Sequence, residues 1–168
     1  KEGRVIPPMG CRSILTSWKN KEGKYQEFGR FNIGVFSINL PYLALDSTTV
    51  DEFKKKLVDM IDFLSEQQYK VYKTICNQPV DIAPILWQYG ALARLEKGES
   101  IDKLLKNGYS TLSLGYAGLY ECVKYMTGKS HTDPEAKDFA LSVMQHMNDK
   151  CAEWKAQHDI DFSLYGTP

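Results

Sequence analysis

NIGVFSINLP, residues 32–41, is the run whose reading decides the fold. Apolar residues are nearly continuous from Ile33 to Leu40, relieved by Gly34, Ser37 and Asn39, and Pro41 ends the run because it has no N–H to give a β-ladder. A short apolar run bounded in this way reads as a strand buried on both faces, the habit of parallel sheets that helices cover. Helical segments are therefore expected to follow it, and further strands beyond them.

The sequence downstream meets that expectation. In DSTTVDEF, Ser47 or Thr48 can cap a helix whose first turn holds Asp51 and Glu52, both favourable beside the positive end of the helix dipole. Phe53, Leu57, Met60, Ile61, Leu64, Val71, Tyr72 and Ile75 recur at three- and four-residue steps, which predicts a long amphipathic helix near 50–75 that ends before Pro79. Pro84 and Gly90 interrupt residues 80–100, an irregular and partly buried connection. SIDKLLKNG predicts a short helix with Ser100 as its cap and Gly108 as its terminator.

YSTLSLGYAG, residues 109–118, reads as a second strand running into a glycine turn, and LYECVKYM as a helix leaving that turn. In SHTDPEAKDF, Thr132 or Asp133 caps a third helix with Pro134 in its first position. Phe139, Val143, Met147, Cys151 and Trp154 mark one face of it down to about residue 157. DIDFSLYG then alternates as a third strand. Strands near 33–39, 109–114 and 159–164, separated by helices near 50–75 and 134–157, require parallel pairing through right-handed crossovers. The fold class is α/β. Upstream, the polar KNKEGKYQEFG of residues 19–29 carries Gly23 and Gly29 and reads as an exposed turn or hairpin.

Composition narrows the partners. The chain has 168 residues, 43% hydrophobic and 25% charged, enough for one core. Lys plus Arg and Asp plus Glu number 21 each, so no overall field favours nucleic acid, an anionic membrane or acidic substrates. No segment has the length and apolarity of a membrane span, and no secretory leader is visible, so a cytoplasmic location is expected. Cys11, Cys76, Cys122 and Cys151 form no CxxC pair and have no histidine at zinc-ligand spacing, so reduced thiols are the simplest reading, with two disulfides as the alternative. The first residue is Lys and the last run, FSLYGTP, has just reached a turn, from which a piece of a larger protein is expected.

Two places can carry chemistry. In RVIPPMGCRS, residues 4–13, Pro7 and Pro8 stiffen a loop that presents Cys11 between Gly10 and Arg12. That thiol is either a small buried hydrophobe or a redox or nucleophilic group. A Cys/His hydrolase is disfavoured, because His131, His146 and His158 all fall on or beside the third helix. Cys76, Cys122 and Cys151 read as inert. The other place is the carboxyl ends of the strands, where LPYLALDS, GYAGLYE and YGTP arrive and where glycine turns entering helices can receive an anion. Glu121 there either caps its helix or points into a site.

PPMGCRS, GRFNIGVFSINLP, APILWQYGA, KNGYSTLSLGYAGLYE and YGTP together resemble, in order and approximate spacing, the catalytic subunit of anaerobic (class III) ribonucleoside-triphosphate reductases. The resemblance covers nearly the whole chain. It implies about half of a ten-stranded α/β barrel built from two antiparallel halves of parallel strands, with residues 1–29 as the finger loop and turn and residues 30–168 as strand-helix units of a single domain piece. It implies that Cys11 becomes a thiyl radical that takes hydrogen from the 3′ carbon of the ribose, and that Asn32 in GRFN hydrogen-bonds at the sugar or at formate. Gly10, Arg12 and Ser13 would shape the loop around Cys11 at the substrate. Tyr165, Gly166 and Thr167 would form the turn toward the substrate phosphates, with a hydroxyl from Thr167.

The resemblance also implies what surrounds the piece. The full-length enzyme is expected to reduce a ribonucleoside triphosphate with formate or a thiol as reductant, to be activated by a radical-SAM protein and to be a homodimer. A glycyl radical, a structural zinc and allosteric ATP or dNTP are expected there, and no cofactor or metal within these residues, which alone would be inactive. The alternatives are a non-catalytic nucleotide-binding or interaction domain on the same scaffold, or another glycyl-radical lyase.

Overall fold

The computed structural model describes residues 15, 17–19, 22–27, 29–158 and 160–167. The expected finger loop, with Gly10, Cys11, Arg12 and Ser13, lies outside the described residues. Three strands, β3 (Phe31–Asn39), β4 (Ser110–Ala117) and β5 (Asp161–Gly166), form one parallel sheet in the order β3-β4-β5. Ahead of them β1 (Trp18–Lys19) and β2 (Tyr25–Gln26) make a small antiparallel hairpin, in the polar stretch where a turn was expected.

The helices follow the spacing of their apolar residues. Pro41, which cannot extend the ladder, starts α1 (Leu40–Leu45) within its first turn, and the Asn39 side chain caps it by accepting the Tyr42 N–H at 3.0 Å. The long helix α2 (Val50–Ile75) is capped by Thr49 and not by Ser47 or Thr48. Ser47 is committed elsewhere, donating to the Leu43 carbonyl at 2.7 Å, while Thr48 donates its N–H and hydroxyl to Glu52 Oε2, both at 2.8 Å. Thr49 and Glu52 therefore satisfy the first turn together, a capping box displaced by one residue.

A 3-10 turn at Val80–Ile82 and the one-turn α3 (Pro84–Trp87) give the irregular connection its shape. Trp87 is buried, its ring 5.5 Å from that of Phe31 at the start of β3. The short α4 (Asp102–Leu105) follows Ile101, with the Ser100 hydroxyl accepting the Asp102 N–H at 3.2 Å. Gly118 and Gly128, both left-handed, bracket α5 (Leu119–Thr127). Asp133 precedes α6 (Pro134–Gln157), and Pro134 sits in its first turn as the sequence predicted.

The core lies on one face of the sheet. Ile38, Leu112, Leu114 and Phe162 meet Phe53, Leu57 and Ile61 of α2 and Val143, Met147, Cys151 and Trp154 of α6 in one buried cluster. Phe53, Leu57 and Ile61 are at most 1% exposed, and each contributes roughly 1.5–3 kcal/mol by leaving water. Partners in a parallel ladder share a face, so the register sends Thr111, Ser113 and Gly115, with Asp161, Ser163 and Tyr165, to the opposite side. On that side β3 contributes Val35 and Ser37. The strand read as buried on both faces is thus the half-open edge of this sheet: one face is apolar, the other is lined with small polar groups, and Val35 is 36% exposed.

Candidate active site on the polar face of the sheet

The polar face is organised in three tiers along the strands. At the amino end, Arg30 donates Nη2–H to Asp161 Oδ2 at 2.7 Å and Nε–H to the Gly108 carbonyl at 2.7 Å. Lys155 of α6 holds the other carboxylate oxygen, Asp161 Oδ1, at 2.7 Å, and its ammonium lies 5.0 Å from the centre of the Trp18 ring. Thr111, fully buried between these charges, lies 3.3 Å from both Arg30 Nη2 and Asp161 Oδ2. This tier ties the hairpin, all three strands and α6 together.

Asn32 occupies the middle tier. Its Nδ2 donates to Ser113 Oγ at 2.8 Å, and Ser113 Oγ lies 3.1 Å from Ser163 Oγ. The ladder slips between Asn32 and Gly34, making Ile33 a bulge residue, and the Gly34 N–H freed by that bulge donates back to Asn32 Oδ1 at 3.0 Å. Ser113 is 2% exposed and Ser163 5%. Buried hydroxyls are tolerated in such a sheet because each has a partner.

The carboxyl end forms the third tier. Ser37 and Thr167 share a hydrogen bond of 2.6 Å, and the Thr167 N–H extends the ladder to the Tyr116 carbonyl at 2.9 Å. They meet over Gly115, where a Cβ would collide with Ser37 Oγ and stand 2.9 Å from Thr167 Oγ1. Beside them is a hollow of about 340 Å³ lined by Ser37, Asn39, Pro41, Gly118, Glu121 and Thr167. No side chain caps the amino end of α5, which opens there, and Glu121 lies in its first turn. Such a mouth at the ends of parallel strands, beside helix N-terminal amides, suits an anionic group.

A profile of anaerobic ribonucleoside-triphosphate reductases matches residues 1–168. The chain belongs to that family. It is 32% identical to the anaerobic ribonucleoside-triphosphate reductase of Haemophilus influenzae over 99% of its own length, and 32% identical to that of Escherichia coli over 99%. Its identity to the reductase of enterobacteria phage T4 is 35% over 97% of the chain. It spans 24% of the two bacterial proteins and 26% of the phage protein, about a quarter of each.

Of the residues that the family resemblance singled out, Asn32, Tyr165 and Thr167 are brought to one side of the sheet, Asn32 in its middle and Thr167 at its carboxyl end. Gly166 pairs with Tyr116, on the ladder position that alternates to the helix-covered side. Cys11, Gly10, Arg12 and Ser13 lie outside the described residues. The described cysteines are free thiols away from this face; burial pushes Cys122 up to about 11 and, with the Asp161 carboxylate adding to it, Cys151 up to about 12. Neither is an activated nucleophile. Among the described residues no group of three or more His, Cys, Asp or Glu side chains is placed to hold a metal ion, and no helix is long and apolar enough to cross a membrane.

Sequence reasoning did not single out Ser113, Ser163, Arg30, Asp161 or Gly115. The signal was the alternation in TLSLG and DFSLY, residues 111–115 and 161–165, which sends Thr111, Ser113 and Gly115 with Asp161, Ser163 and Tyr165 to one side. Arg30, one residue before its strand, had no such signal.

Proposed function

We propose that this chain is a central part of the catalytic barrel of an anaerobic ribonucleotide reductase, and that the polar face of its sheet looks onto the reacting sugar. The observation that carries the reading is the Asn32 amide, held over that face by Ser113 and by the bulge at Ile33. An amide donates and accepts without titrating, so it can hold a ribose hydroxyl or formate without supplying a stray proton to a radical. Family membership along the whole chain supports the same reading.

In this reading Cys11 carries the radical, which is generated from a glycyl radical on another part of the full-length protein. Cys11 Sγ takes the hydrogen atom from C3′ of the ribonucleoside triphosphate, so that an S–H bond forms, the C3′–H bond breaks and the unpaired electron passes to C3′. Formate or a thiol supplies the electrons that the overall reduction needs. Thr167 and the α5 turn stand on the side of the triphosphate, with Tyr165 and Gly166 shaping the approach and Gly10, Arg12 and Ser13 shaping the loop of Cys11. A radical-SAM activating protein and a second copy of the full-length chain are the partners.

The test is Cys11→Ser in the full-length protein, assayed anaerobically after activation. Glycyl-radical formation and nucleotide binding should persist while dNTP synthesis disappears. Retained dNTP synthesis would overturn the assignment of Cys11.

A further inference from the structure

We propose that Ser113, backed by Ser163, is a positioning residue that fixes the orientation of the Asn32 amide; the inference rests on the reading of Asn32 as a substrate- or formate-holding group. The two ends of that amide are told apart by their partners. Gly34 N–H stands 3.0 Å from Oδ1, and a flipped amide would set an N–H against an N–H, so the oxygen must face the bulge and the nitrogen must face β4. Nδ2 then donates one hydrogen to Ser113 Oγ at 2.8 Å. One Nδ2 hydrogen and one Oδ1 lone pair remain to be aimed.

Ser113 can hold that aim because it is itself held. Its backbone carbonyl accepts from Gln68 Nε2 of α2, which ties this point of β4 to the long helix. Its side chain is 2% exposed, and the Ser163 hydroxyl 3.1 Å away takes or gives the second hydrogen bond. With one lone pair of Ser113 Oγ occupied by Asn32, the serine proton is free to point to Ser163. The chain of bonds runs Gly34, Asn32, Ser113, Ser163 and crosses all three strands. None of these groups titrates in the physiological range. The ladder can therefore hold an amide rigid without offering a proton to a radical.

Purely structural hydroxyls would serve the sheet equally well with Asn32 absent, and this separates the two roles. In the full-length, activated protein with CTP as substrate, turnover is measured per glycyl radical counted by EPR, with formate and separately with dithiothreitol as reductant. Ser113→Ala should lower kcat per radical roughly tenfold, the worth of one well-formed hydrogen bond, with KM for CTP nearly unchanged. Ser113→Thr, which keeps the hydroxyl, should restore most of it. In the Asn32→Ala background Ser113→Ala should add nothing further, because the residue it positions is gone.

Normal turnover in Ser113→Ala beside impaired Asn32→Ala would overturn the proposal and leave the reading of Asn32 standing. So would losses that multiply in the double variant, since Ser113 would then act elsewhere. Normal turnover in Asn32→Ala would remove the reading of Asn32 and the proposal with it. Should Ser113→Ala fail to hold a radical, Ser163→Ala keeps the Asn32–Ser113 bond and loosens only its support. It should lose roughly threefold in turnover per radical, again only while Asn32 is present, and an effect of the same size without Asn32 would count against the proposal.

Discussion

Arg30 and Asp161 meet at 2.7 Å across the width of the sheet, with side chains 1% and 0% exposed, although one precedes β3 and the other opens β5. Their pairing closes β4 between them, and Lys155 pairs with the second carboxylate oxygen. Asp161→Ala would take this carboxylate from both Arg30 and Lys155. A loss of about 3–5 kcal/mol in stability is expected, the cost of breaking a buried ion pair by removing one of its members. The double change Arg30→Met with Asp161→Leu should recover a large part of it. Urea unfolding measures both, and a loss below about 1 kcal/mol in Asp161→Ala would mean that water reaches the cluster.

Gly115 provides the second prediction. Because its missing Cβ makes room for Ser37 Oγ and Thr167 Oγ1, Gly115→Ala must push the two hydroxyls apart or shift the end of β5. We expect a cost of about 1–3 kcal/mol, typical of overpacking. If the carboxyl-end mouth receives the phosphates, KM for a ribonucleoside triphosphate should rise more than kcat falls. Adding Ser37→Ala removes the atom that the Cβ meets first and should return part of the stability. Equal stability of Gly115→Ala and the native protein would show that the strands slide apart freely there.

The long helices and three strands were legible in the sequence because their signals are local. The spacing from Phe53 to Ile75 and Pro134 in the first turn of α6 fixed two helices within a residue of their ends. The polar face was less legible. Its alternation is plain in β4, but in β3 the bulge at Ile33 breaks the period, so Asn32 and Val35, three apart, both lie on the side of Thr111 and Ser113. Pairing of Arg30 with Asp161 is a consequence of register alone, and no local pattern encodes it. The cap of α2 was misplaced by one residue because DSTT offers three hydroxyls in a row, and only the distance to Glu52 tells them apart.

Glu52 contributes to the acid side of the stability profile. The Thr48 backbone N–H, then the Thr48 hydroxyl, then Lys56 hold its carboxyl at about 2, well below the ordinary 4.5. A folded value below the unfolded one means that the unfolded chain binds the proton more readily, so this contribution is complete above the unfolded value and is lost as pH falls from about 4.5 toward 2. Glu52→Gln should flatten the stability profile in that window and leave it unchanged in slope near neutrality. Urea midpoints at pH 6 and pH 3 for both proteins test this. A wild-type and a variant that lose stability in parallel on acidification would place the acid sensitivity in other carboxylates.

The two outer strands supply the last prediction, which concerns the chain studied alone. Both β3 and β5 are edges of a three-stranded sheet, and beside β3 a groove of about 730 Å³ runs between Val35 and the Phe63 and Val71 side chains of α2. Phe63 is 56% exposed and Val71 41%, so apolar surface adjoins a row of backbone groups that can pair with another strand. The chain spans about a quarter of its relatives, so we expect further polypeptide to cover this edge in the full-length protein and copies of the chain alone to associate. Sedimentation velocity over a concentration series should show mass rising with concentration. Phe63→Lys, which puts a charge in the groove without touching the core, should reduce that rise. A chain that stays monomeric throughout would mean that neither the β3 edge nor the apolar groove beside it drives association.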